Sequence, residues 1–142
     1  MNILVSACLL GQNCRYDGSN CYQPGVERLK AMHGLIPVCP EIYGGLPTPR
    51  EPAELRNGRV MTKSGADVTA AYEKGAQETL ALARFLGCRT AVLKTKSPSC
   101  GRDQIYDGSF SGRLVGGSGI LARLLADEGI TVLTEREIEA LM

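Results

Sequence analysis

The stretch "CRTAVLKTKSPSCG" (Cys88–Gly101) runs from an apolar segment into a loop of lysines, serines, a proline and a glycine that encloses Cys100. Its first half, Cys88 to Thr95, has the length and β-branched content of a buried strand. The residues before it read as a long helix. Asp67 is placed as its N-cap, and Val68, Ala71, Tyr72, Ala76, Leu80, Ala83 and Leu86 recur at a helical period up to Gly87. A helix that leads directly into a buried strand is half of a βαβ crossover, which pairs strands in parallel.

The same alternation extends in both directions. "NILVSA" (Asn2–Ala7) and "GLIPVCP" (Gly34–Pro40) read as strands. Between them Pro24 to His33 reads as a helix, with Val26, Leu29 and Met32 on one face and Gly34 as its stop. "EIYGGLPTPREPAE", rich in prolines with two adjacent glycines, reads as a loop. "ELRNGRVM" (Glu54–Met61) predicts a hairpin turning at Asn57-Gly58, a pair that suits the left-handed backbone of such turns. Downstream, "GILARLLADEG" (Gly119–Gly129) predicts a helix and "ITVLT" (Ile130–Thr134) a last strand. Thr134 with Glu137 forms a capping box for a terminal helix over Glu135–Leu141. The expected architecture is a single α/β domain over residues 1–142, a Rossmann-like parallel sheet with helices on both faces and a short hairpin insertion.

Composition narrows the function. A chain of 142 residues with 44% hydrophobic and 22% charged residues suits one well-buried core. The net charge of +1 and the 5% aromatic content provide neither a polyanion field nor a stacking face, which argues against intact nucleic acid as partner and for a small substrate. No apolar run approaches the roughly 18 residues that span a bilayer, and Met1 leads straight into "NILVSACLL", so no membrane partner is expected and a cytoplasmic location is. Monomer and homodimer are both compatible with the sequence.

A reducing cytoplasm shifts the six cysteines toward metal or catalytic use. None forms a CxxC pair, so any metal site must be assembled from distant loops. Cys8, Cys39 and Cys100 each follow a strand, and in a parallel α/β sheet the carboxyl ends of strands hold the ligand crevice. Taken alone, each reads as a buried thiol; three at equivalent strand ends read as a ligand set with one coordination position left open, for iron–sulfur or for zinc with a water. Cys88 starts its strand at the opposite edge and reads as a core thiol. Cys14 and Cys21 lie on the loop after the first strand, near the site or at its mouth.

Glu41, two residues after Cys39, is a candidate general base whose alternative is a solvated loop carboxylate. Ser97 and Ser99 flank Pro98 before Cys100 and either orient a water or form the turn. Of Lys94 and Lys96, one is expected inward for charge balance. "VGGSG" (Val115–Gly119) opens a helix and offers a phosphate seat at Gly117, Ser118 and Gly119. Arg15, Asp17 and Arg50 add charge on candidate site loops. His33, the only histidine, closes a helix and reads as a dipole partner.

Together, "VSACLLGQNCRYDGSN", "VCPEIYGGLPTPREPAE", "LKTKSPSCG" and "IYDGSFSGRLVGGSGILARLLADEGI" resemble the thiouracil desulfidase family, once catalogued as a domain of unknown function, over nearly the whole chain. The resemblance implies removal of sulfur from thiouracil or 4-thiouridine monophosphate without net redox change, releasing uracil or its nucleotide and hydrogen sulfide. It implies a 4Fe-4S cluster held by Cys8, Cys39 and Cys100 with one iron open. It implies Glu41 as the proton-handling carboxylate, Ser97 as the assisting hydroxyl, and Gly44, Gly45 and Arg50 in a pocket wall. A cluster of this kind also serves Lewis-acid dehydratases and hydratases, and a non-catalytic metal-binding module remains a further reading of the same thiols.

Overall fold

The computed structural model describes Met1–Met142. In chain order the strands and helices are β1 (Asn2–Ser6), a 3-10 turn (Ala7–Leu10), α1 (Val26–Met32), β2 (Gly34–Val38), α2 (Pro40–Tyr43), β3 (Ala53–Arg56), β4 (Arg59–Thr62) and α3 (Thr69–Phe85). There follow β5 (Thr90–Leu93), β6 (Gln104–Tyr106), β7 (Leu114–Gly116), α4 (Ile120–Asp127), β8 (Thr131–Thr134) and a terminal 3-10 helix (Glu135–Leu141).

Four strands form one parallel sheet in the order β2-β1-β5-β8. Alternation along β1 sends Leu4 to one face and Ile3 and Val5 to the other, and β5 divides Ala91 and Leu93 from Val92 in the same way. The first face is covered by α3 and α4 through Ala76, Leu80, Ala83, Leu121 and Leu125. The second is covered by α1 and the terminal helix through Val26, Leu29 and Ile138. The expected sheet with helices on both faces is therefore present. Because β1 continues to β2 on one side while β5 returns on its other side, the strand order reverses at β1, and the crevice of such sheets opens there, at the carboxyl ends.

Several local expectations carry through. The β3–β4 hairpin turns at Asn57 and Gly58, both at positive φ. The N-cap of α3 is Val68 rather than the expected Asp67, which lies one residue earlier and accepts from the Thr69 amide at 2.9 Å. Thr134 accepts from the Arg136 amide and Glu137 accepts from the Thr134 amide, although the helix they cap has 3-10 geometry.

Two expectations change. The segment after Cys39 is not wholly a loop, because Pro40 takes the first position of the short helix α2, where its missing N–H is not needed. Residues Gln104–Gly116 form a second hairpin, β6–β7, unforeseen because its arms have only three residues and the Asp107-Gly108 pair opens a long connection rather than a two-residue turn. No helix is long and apolar enough to cross a membrane.

Candidate active site

Cys8 lies in the 3-10 turn that follows β1, Cys39 ends β2 as the residue before α2, and Cys100 follows β5. With Cys14 from the loop after β1, they line one cavity of about 500 Å³ at the carboxyl edge of the sheet. All six cysteines are free thiols. Cys88 is buried at the start of β5, away from this cavity, as its position before the strand suggests. Cys21 packs beside the Cys8 cluster without lining the cavity.

The thiols are crowded together and buried or half-buried. Cys14 and burial together push Cys39 well above the ordinary thiol value. Burial pushes Cys100 up to about 12, against hydrogen bonds from Ser6 and Ser99 that favour its thiolate. A hydrogen bond with Cys39 acts to lower Cys14, but one with Cys8 and burial outweigh it. Such a set holds its protons until a metal displaces them. No three His, Cys, Asp or Glu side chains converge at single-ion distance. Soft donors on three separate segments around a cavity fit the corners of an iron–sulfur cluster.

Glu41 lies in the first turn of α2, and its placement depends on two glycines. A Cβ at Gly75 would collide with the Pro40 carbonyl, and one at Gly44 with the Ala71 carbonyl, so α2 and α3 meet backbone to backbone. This approach brings the buried Tyr72 phenol to 2.5 Å from Glu41 Oε1. Burial, with the Glu41 charge beside it, raises the phenol above its ordinary value, so Tyr72 keeps its proton and donates it. The other oxygen, Oε2, faces Arg50 at 3.5 Å and the Ser99 hydroxyl at 3.4 Å. Glu41 is thus a cavity-lining carboxylate with partners, not a solvated loop residue.

Arg50 was expected on a site loop, and the structure gives it a bracing position. Its side chain is 7% exposed and donates to the carbonyls of Cys14 and Pro47 and to the Thr48 hydroxyl. Gly44 is occupied with the helix contact, and Gly45 turns the chain at positive φ. Ser97 lines the cavity and accepts from the amides of Ser99 and Cys100, each at 3.1 Å. Its hydroxyl pairs with that of Ser99 at 2.9 Å, and Ser99 lies behind it, buried, against Glu41 and the Cys100 sulfur. The two serines form one hydrogen-bonded chain, and Ser97 also shapes the turn.

The Gly117–Gly119 turn is elsewhere. Gly117 and Ser118 line a separate surface cavity of about 590 Å³. The amides at the start of α4 are already bonded: Gly119 to Gly101, Ile120 to Pro98, Leu121 and Ala122 to Ser99, all carbonyl acceptors. The first amides of α4 are thus not available to a phosphate, because the "SPSCG" loop folds back onto them. Asp17 is also outside the cavity, closing a local turn with the Ser19 amide and hydroxyl.

Arg15 does line the cavity, with its guanidinium 5.5 Å from the Tyr16 ring centroid. Lys94 and Lys96 both line it; Lys94 pairs with Glu135 at 3.0 Å. His33 bonds the Leu141 carbonyl on the far side of the sheet. Sequence reading missed Tyr72, which looked like one more core position of α3. It also missed Tyr106 and Phe110, which the β6–β7 hairpin brings over the cavity. Glu54 holds that hairpin down by accepting from the Gly108 and Phe110 amides.

Comparison with known proteins bears on the family and the fold. A family model described as 2-thiouracil desulfurase matches residues 3–137. The chain is 41% identical to the uncharacterized protein YbbK of Bacillus subtilis (strain 168), with 99% of each covered. It is 45% identical to a solved structure of the 4Fe-4S-dependent thiouracil desulfidase TudS, covering 99% of this chain and 94% of that one with a TM-score of 0.93.

Proposed function

The chain belongs to the 2-thiouracil desulfurase family, and on that premise we propose that it hydrolyses the carbon–sulfur bond of thiouracil or 4-thiouridine monophosphate. The observation that carries this reading is the meeting of three strand-end cysteines and a braced carboxylate in one cavity. Water oxygen ends on the pyrimidine carbon, sulfur leaves as sulfide, and no electrons change hands.

Cys8, Cys39 and Cys100 are the residues that would hold a 4Fe-4S cluster. When bound with one iron free of protein ligands, such a cluster supplies a soft Lewis acid for a thiocarbonyl sulfur. Glu41 takes the proton of the attacking water, and Ser97 orients that water from the cavity wall. Tyr16, Tyr106 and Phe110 provide faces on which a pyrimidine ring stacks and which keep bulk water out. Arg15, Lys63 and Lys96 line the same cavity and suit a 5′-phosphate. Free thiols suit assembly in a reducing cytoplasm.

The test is anaerobic reconstitution followed by incubation with 4-thiouracil and with 4-thiouridine monophosphate. Sulfide and the oxygenated product are expected in equal amounts. A cluster-loaded protein that releases neither from either compound would overturn the reading.

A further inference from the structure

We infer that Tyr72 is a positioning residue for desulfuration, aiming the Glu41 carboxylate by donating its phenolic proton to Oε1. This rests on the reading of Glu41 as base given above. The contacts around the carboxylate are unequal. Oε2 has two partners, Arg50 at 3.5 Å and Ser99 at 3.4 Å, both beyond the usual range of a strong charge-assisted bond. Oε1 has the Tyr72 hydroxyl at 2.5 Å. The one short bond therefore does most to set the rotation of the carboxylate, with the two longer contacts supporting its other oxygen.

Tyr72 is suited to this by its rigidity. It is 2% exposed, its ring packs with Leu55, Val60 and Ile105, and it lies three residues before Gly75 on the helix face that meets α2. The same close approach that admits α2 therefore delivers the phenol. A general base works only within hydrogen-bond reach of the proton it removes, so a small rotation of Glu41 costs rate while leaving substrate binding in place.

Tyr72→Phe in the full chain keeps the ring and removes only the hydroxyl. After anaerobic reconstitution, its iron content and cluster absorbance should equal those of the unmutated protein. Its kcat for 4-thiouracil should fall about tenfold to hundredfold with KM within about twofold. Combined with Glu41→Gln, it should be no slower than Glu41→Gln alone, since both changes act through one group. A purely structural role would instead lower iron content and unfolding temperature together. Unchanged kcat, or a loss multiplicative with that of Glu41→Gln, overturns the inference. A crystal structure of Tyr72→Phe without substrate decides it independently of turnover: Glu41 is expected to leave its present rotamer, and a carboxylate that stays in place overturns the inference. If the unmutated protein releases no sulfide, the desulfidase reading falls and that crystal structure still decides the placement.

Discussion

Glu41 gains its chemistry from residues far from it in sequence. Glu41→Gln preserves shape and hydrogen-bonding capacity toward Arg50 but cannot take a proton. It should leave the cluster bound, measured as iron and acid-labile sulfide per chain, while kcat falls about 10²- to 10⁴-fold. Retained turnover would remove Glu41 from the reaction. The residue itself was a candidate from "VCPE", although spacing alone suits a solvated loop carboxylate equally and its role came from the family resemblance. Its partner Tyr72 was not, since nothing local distinguishes a phenol on a helix core face from any other buried aromatic, and Arg50 was legible as a site-loop charge but not as a partner of Glu41. The serine pair is intermediate: the spacing of Ser97 and Ser99 around Pro98 signals a turn, and only the folded chain shows their hydroxyls joined in a line toward Glu41.

Among the elements, the contact between α2 and α3 sets the site. Gly75 is in the interior of α3, where alanine would ordinarily stabilise a helix by about 0.5 to 1 kcal/mol. Here the added methyl would meet the Pro40 carbonyl, a backbone group that cannot rotate aside. Gly75→Ala should therefore destabilise by ~1–3 kcal/mol despite its helix propensity. Because Cys39 and Glu41 flank Pro40, iron loading should fall as well. Thermal unfolding and metal analysis of the variant check both. An unfolding temperature at or above that of the unmutated protein would contradict the contact. The β6–β7 hairpin illustrates the opposite limit of sequence reading. Its three-residue arms are too short for alternation to register, and Glu54, which pins it, is fifty-odd positions away.

For the whole molecule, six carboxylates have values below their ordinary ones: Asp17, Glu27, Asp67, Asp107, Glu135 and Glu137. At Asp17, Asp67 and Asp107 the largest cause is a hydrogen bond from the hydroxyl two residues on, Ser19, Thr69 and Ser109. At Glu135 burial opposes the shift, and Lys94 with the Thr95 amide outweighs it. A lowered folded value means stability that is fully present above the ordinary values, 3.8 for Asp and 4.5 for Glu, and lost as pH falls through the folded ones, about 2 for Asp67. The urea midpoint should thus change little between about pH 7 and pH 5 through these groups and decline below about pH 4.5. A midpoint that stays level to about pH 3 would contradict this.

The sequence by itself determined the order of the four sheet strands along the chain and of the helices between them, the hairpin at Asn57-Gly58, the cap at Thr134 and the strand-end positions of Cys8, Cys39 and Cys100. These follow from periodicity, turn chemistry and capping, which act over a few residues. Only the tertiary structure decided that α2 lies against α3, that a second hairpin covers the cavity, and that Tyr72 and Arg50 grip Glu41. It also closed the start of α4 by giving the amides of Gly119 to Ala122 to the "SPSCG" loop. Those outcomes depend on approach between segments separated along the chain, by 31 residues from Glu41 to Tyr72. Glycine permits that approach, and no local pattern encodes it.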